Sequence, residues 1–141
     1  MLIHGGCHCG NISFDLRIEP DPLRIPARAC GCSFCTKHGG VWTSNPAASL
    51  RVRVREPGAV SAYSFATKTA DFQVCSHCGI VPLVTCDLEG NRYAVVSVNA
   101  FEGVDPALLD PSPANFDGES EAVRLARRQR NWIADVRFET A

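Results

Sequence analysis

The chain lacks an excess of either charge. Its 14 Lys and Arg against 15 Asp and Glu leave a formal net charge of −1, which gives no overall electrostatic footprint for nucleic acid or an anionic membrane. It also lacks long apolar runs: the longest, such as Ile80 to Val84, are a few residues, against the roughly 20 needed to span a bilayer as a helix. The opening MLIHGGCHCG has no basic start, no extended apolar region and no cleavage-like end, so no secretory signal is expected and the expected compartment is the cytoplasm. Internal repeats, low-complexity tracts and linkers are missing as well. A chain of 141 residues can bury one core and is too short for two, so residues 1–141 are read as a single domain.

Cysteine is what the chain has in plenty. Eight cysteines in a reducing compartment point to metal or catalysis rather than to disulfides, which would need export and better-dispersed positions. Seven of the eight fall in tight groups: Cys7-x-Cys9, Cys30-x-Cys32-x-x-Cys35 and Cys75-x-x-Cys78. Such groups suit a small ion. Zinc is the leading candidate, and iron–sulfur ligation by four thiolates is chemically open.

The surrounding pattern is mostly that of strands. ISFDLRIE alternates Ile12, Phe14, Leu16 and Ile18 with polar residues, the period of a strand with one buried face. Three prolines break the segment from Pro20 to Cys30, which allows at most a short edge strand. LRVRVRE sends Leu50, Val52 and Val54 inward and Arg51, Arg53 and Arg55 outward; EPGA then turns the chain into a strand with Tyr63 and Phe65 as core residues. FQV, IVPLVTC and RYAVVSV continue the series of hairpins. One segment reads as a helix, GESEAVRLARRQRNW, capped by Ser120 or Asp117, with Ala122, Leu125, Ala126 and Gln129 on one face and its arginines in solvent. The stretch from Asp105 to Asp117 reads as a long surface loop. The expected fold is therefore mainly β, a small zinc-stabilised domain of antiparallel hairpins and sheets with one C-terminal helix.

The cysteines divide into a closed and an open set. Gly10 and Gly79 follow the second cysteine of CHCG and CSHCG, and glycine permits the left-handed backbone that turns main-chain N–H groups toward thiolate sulfurs. Cys7, Cys9, Cys75 and Cys78 together supply a complete tetrahedral set, read as a structural zinc that ties two distant hairpins; buried free thiols are the alternative. His8 and His77 are neighbours that can also ligate, but the cysteine symmetry makes them bystanders. Cys30, Cys32 and Cys35 then form a second zinc site with one position left for a substrate. Cys86 is either its fourth ligand or, as the alternation around it favours, a small buried core residue.

The segments GGCHCGNISF, CGCSFCTKHGG, FQVCSHCGIVP and SVNAFEGVD resemble the glutathione-dependent formaldehyde-activating enzyme family, whose domain is shared with centromere protein V. The resemblance covers residues 3 to about 105, and the extension from about 106 matches only loosely, around Trp132. Gly31 stands where many members have histidine. The resemblance implies a mainly β fold, a structural zinc on Cys7, Cys9, Cys75 and Cys78, and a second zinc on Cys30, Cys32 and Cys35. It also implies the condensation of formaldehyde with glutathione to S-hydroxymethylglutathione.

The chemistry agrees with that class. Zinc on three thiolates is a weak Lewis acid with a taste for soft donors, so a thiol entering the fourth position is deprotonated and can attack an aldehyde, or leave from the adduct in reverse. This predicts up to two Zn2+ per chain, a small-molecule thiol and an aldehyde as partners, and carbon–sulfur lyase-type activity. A zinc deaminase would need a glutamate beside the ligands, and none lies within ten residues of Cys30, Cys32 or Cys35. Lys37 and His38, directly after the open set, are candidates for proton transfer or substrate carboxylate binding, set against a plain solvated loop. Arg51, Arg53 and Arg55 are either an anion-binding strip or a solvated sheet face. A noncatalytic zinc-stabilised β module that binds a partner is the alternative function.

Overall fold

Alternating apolar residues build two sheets in the computed structural model, which describes residues 1–140. In chain order the elements begin with β1 (Leu2–Gly6), β2 (Ile12–Arg17), β3 (Ile25–Cys30), α1 (Ser33–His38), β4 (Val41–Thr43) and β5 (Ser49–Val54). The middle of the chain adds β6 (Val60–Tyr63), β7 (Asp71–Cys75), β8 (Leu83–Leu88), β9 (Asn91–Ser97) and β10 (Phe101–Glu102). The last third supplies β11 (Leu109–Ala114), α2 (Glu121–Asn131) and β12 (Asp135–Thr140). One sheet has the order β10-β1-β2-β5-β12 and the other β11-β3-β4-β9-β8-β7-β6.

The seven-stranded sheet is buried on both faces, and its two faces serve different ends. Leu83 on β8 and Ala94 and Val96 on β9 join Phe14, Leu16, Leu50 and Val52 of the other sheet in one core. Their sequence neighbours Val84, Cys86, Tyr93 and Val95 point the opposite way, because successive strand residues alternate sides, and pack with Cys35, Trp42, Phe72 and Trp132. Cys30 and Cys32 also pack against this second layer. Burial of side chains such as Phe14 and Val52, 1% and 0% exposed, contributes about 1.5–3 kcal/mol each.

The mainly β fold with one main C-terminal helix is as expected, and the structure alters five details of it. The Asp105 to Asp117 segment is not a surface loop: Leu109–Ala114 forms β11, parallel to β3, with Ala114 opposite Cys30. Pro111 and Pro113 are tolerated because β11 is an edge strand, and its presence puts β3 inside the sheet rather than at its edge. The pairing is not antiparallel throughout, since β12 also runs parallel to β5. A short second helix, α1, lies inside the CGCSFC motif; its six residues are too few to show a helical period, and it starts because the Cys32 sulfur accepts the Cys35 N–H at 3.3 Å. Tyr63 is 48% exposed, packing only at the rim of an aromatic group with Phe34 and Phe65.

The C-terminal helix is also turned differently from its sequence reading. Ser120 caps it, as expected, accepting the Val123 N–H. Yet Ala122, Ala126 and Gln129 are exposed, whereas Arg124 and Arg127 are largely covered and Arg128 is 7% exposed. The helix lies over the second layer, whose local partners are polar: Arg128 donates to Thr69 Oγ1 at 2.8 Å and sits 3.6 Å from Cys86 Sγ. Glu119 accepts two hydrogen bonds from Arg127 through Nε and Nη2. These partners outweigh the small apolar moment of Ala122 and Ala126.

Candidate metal centres and the pocket beside them

The fold brings the seven clustered cysteines together as two groups, each with its sulfurs within 4.8 Å of one another. The first is Cys7, Cys9, Cys75 and Cys78, from the β1–β2 turn and the β7–β8 turn. Cys7 to Cys9 is 3.8 Å and Cys9 to Cys75 is 3.5 Å between sulfurs. Bonds of about 2.3 Å from zinc to four tetrahedral sulfurs imply edges of about 3.8 Å, so the donor set fits such an ion. The two turns are near copies: Gly10 and Gly79 have φ of 84° and 80°, and each lies just before an amide, of Asn11 or Ile80, that hydrogen-bonds the preceding cysteine, Cys9 or Cys78. Ile12 N–H adds a bond to Cys7 Sγ at 3.2 Å. Donors that surround sulfur favour its anionic form, the form a metal needs. Cys7 and Cys75 are buried against the core between the sheets, so an ion here would tie one sheet to the other across 66 residues of sequence.

His8 is exposed, and His77 pairs instead with Glu56 at 2.8 Å; neither joins the four sulfurs. The strip of Arg51, Arg53 and Arg55 is not open to an anion along its length: Arg51 pairs with Glu139 at 3.1 Å and Arg53 with Asp15 at 2.9 Å.

The second group, Cys30, Cys32 and Cys35, is assembled by a strand end and one helical turn. Cys30 closes β3, Cys32 caps α1, and Cys35 lies one turn inside it. Trp42 Nε1 donates to Cys35 Sγ at 3.3 Å. Gly40 is required by that contact, since a Cβ there would sit 2.8 Å from Trp42 Nε1 and 2.9 Å from Cys35 Sγ. Hydrogen bonds from Cys35, an amide and Cys32, helped by the charge of Arg127, hold the Cys30 thiol down to about 5 despite its burial. Its bond to Cys30, followed by burial, drives Cys35 far upward. The N–H donors to Cys32 and Cys35 suit these sulfurs to a cation.

These sulfurs open onto a cavity of about 460 Å³, within the usual range for small-molecule sites. Trp42, Phe65, Phe72 and Trp132 give it apolar walls; Arg28, Arg124, Arg127 and Arg128 line it as well. Cys86 is buried beside Arg128 and belongs to neither sulfur group. Lys37 and His38 are exposed at the end of α1, outside the cavity lining, and His38 stacks on Phe34 at 5.2 Å. The sequence reading missed Trp42, Gly40 and the α2 arginines. For the arginines a signal existed: 124, 127 and 128 are spaced three and four apart, which places them on one helical face.

A two-sheet β protein with one full and one incomplete cysteine group, the latter facing a cavity, has the donor sets to hold metal ions. The particular family follows from comparison with known proteins. The chain belongs to the glutathione-dependent formaldehyde-activating enzyme family, whose model matches residues 2–116. A crystal structure of a Rhodobacter sphaeroides protein is similar, with 32% sequence identity, a TM-score of 0.57, and coverage of 74% of this chain and 92% of that one. Among the described residues no helix is long and apolar enough to cross a membrane.

Proposed function

We propose that the protein forms or breaks a thiol–aldehyde adduct such as S-hydroxymethylglutathione, a carbon–sulfur lyase-type reaction, at a zinc ion held by Cys30, Cys32 and Cys35. A second zinc on Cys7, Cys9, Cys75 and Cys78 is structural. The observation that carries the reading is the incomplete sulfur set opening onto a cavity, which leaves a position for a substrate sulfur. Family membership supports glutathione and formaldehyde as the substrate pair. Zinc bound there would supply a soft Lewis acid that favours a substrate thiol in its ionised form.

The chain's own groups do the rest. In the forward direction a sulfur–carbon bond forms, the carbonyl π bond breaks, the thiol proton leaves sulfur and a proton arrives on oxygen. Ser33, Ser44 and Asp117 line the cavity and join Lys37 and His38, which lie outside the lining, as candidates to hydrogen-bond the adduct oxygen or pass that proton to solvent. Trp42, Phe65, Phe72 and Trp132 exclude bulk water around the reacting sulfur. The test is the rate of formaldehyde capture by glutathione with and without the zinc-loaded protein. Acceleration that disappears in Cys32→Ser, a variant that keeps a hydroxyl to cap α1, is the expected result. A capture rate equal to the uncatalysed one would leave the protein as a noncatalytic zinc-stabilised module.

A further inference from the structure

Arg128 is a cation in an expensive place. Its side chain is more than nine-tenths buried, no carboxylate pairs with it among the described residues, and its Nε is buried without a hydrogen-bond partner. It holds a threonine hydroxyl and a thiol, Thr69 and Cys86, and lies 5.1 Å from the Trp132 ring. A guanidinium removed from water needs a counter-charge or a full set of acceptors, and this one has neither. Arg124, one turn earlier, also has a buried Nε without a hydrogen bond. Glu119 is committed to Arg127 through a bidentate pair, with Arg124 Nε farther off at 3.8 Å. Arg127 is further held over the Phe116 ring at 3.6 Å.

Arg124, Arg127, Arg128, Phe116 and Trp132 border the cavity that holds the second sulfur group. Four guanidinium groups line it, Arg28, Arg124, Arg127 and Arg128, and the carboxylates that face them are Asp117 in the lining and Glu119 behind it. The cavity thus has a surplus of positive charge, concentrated on α2. Helix α2 lies beyond residue 116, where the family match ends, and reaches the cavity because β11 pairs with β3 and delivers Ala114 opposite Cys30. This wall is therefore a feature of the chain's own C-terminal segment.

We infer that Arg128, supported by Arg124, forms a carboxylate subsite in this cavity, so that the protein selects a reactant bearing a carboxylate beside its reacting sulfur or carbonyl group. The inference rests on the proposed thiol–aldehyde reaction for what reacts, but the subsite itself is a property of the cavity. A carboxylate supplies the coplanar acceptors that a guanidinium recognises and the counter-charge that Arg128 lacks. Arg128 acts here as a specificity-determining residue and touches substrate at a distance from the bond being made.

Both tryptophans of the chain, Trp42 and Trp132, line the cavity, so intrinsic fluorescence reads its occupancy directly. The zinc-loaded protein is titrated with mercaptoacetate and with its neutral counterpart mercaptoacetamide, then with glyoxylate and glycolaldehyde, and finally with succinate. The expected result is a preference of about tenfold or more for the charged member of one pair, the size of a charge-assisted hydrogen bond. The pair that shows it identifies whether thiol or aldehyde carries the carboxylate. In Arg128→Met the ratio should collapse to near unity, with circular dichroism checking the fold; Arg124→Gln should reduce it partly if Arg128→Met does not fold. Equal affinity within both pairs in the unmutated protein would overturn the subsite and leave the proposed reaction standing. Quenching by succinate that Arg128→Met abolishes, with no response to any thiol, would uphold the subsite and overturn the reaction. No response to any carboxylate would overturn the subsite.

Discussion

The two cysteine groups use the same atom type and nearly the same spacing, yet one joins turns of two different sheets and the other opens onto a cavity. Cys7, Cys9, Cys75 and Cys78 come from two turns in different sheets, and two of them are packed into the core between those sheets. Cys30, Cys32 and Cys35 come from six consecutive residues on the opposite face of the larger sheet, so their loss would cut no link between distant parts. Solvent exposure does not separate the groups, because Cys9 of the first is itself exposed. What separates them is the number of sulfurs and the span of chain they join. A fourth protein ligand completes a centre and makes it structural; a cavity in place of that ligand leaves chemistry to be done.

The sharpest way to break the comparison is to remove one sulfur from each. Cys75→Ser should cost several kcal/mol, because metal binding to a site absent from the unfolded chain is folding free energy, and the protein should be insoluble or melt far lower. Cys32→Ser should stay folded with an unchanged melting temperature within a few degrees, since serine also caps α1. Thermal melts of the two purified variants decide the matter, and equal losses would erase the distinction.

A smaller effect is expected from Gly40→Ala, which adds a methyl group into the contact between Trp42 and Cys35. Overpacking of this kind costs about 1–3 kcal/mol, and here it should appear mainly as weakened metal retention at the second group, read by metal analysis after dialysis against a chelator. Trp42→Phe should have the smallest effect. It removes the N–H donated to Cys35 Sγ while keeping an aromatic ring, for a loss of about 1 kcal/mol and a several-fold weaker hold on the second ion, measured by competition with a chromophoric chelator.

Much of this comparison was readable in the sequence, for identifiable reasons. Short spacings such as Cys75-x-x-Cys78 bring sulfurs together whatever the rest of the chain does, and Ile12, Phe14 and Leu16 announce their buried face by a period of two. The parallel pairings of β11 with β3 and β12 with β5 join residues more than 80 apart, and no local pattern encodes them. Pro111 and Pro113 even argued against a strand, since a local reading has no means of knowing that the strand would lie at an edge. Arg128 was hidden for a different reason. Its charge directed it to solvent by the ordinary rule, and only the fold reveals the cavity that it faces.

Graded removal of metal with a chelator, followed by alkylation of released thiols and mapping of the labelled cysteines by mass spectrometry, tests the central distinction most directly. The reduced, zinc-loaded protein should begin with about two ions per chain. Label should enter Cys30, Cys32 and Cys35 in a first phase, with loss of one ion and no loss of folded structure. Cys7, Cys9, Cys75 and Cys78 should react only in a second phase that coincides with unfolding. Simultaneous labelling of all seven, or labelling of the four-sulfur group first in a protein that stays folded, would contradict the division into a structural and an open centre.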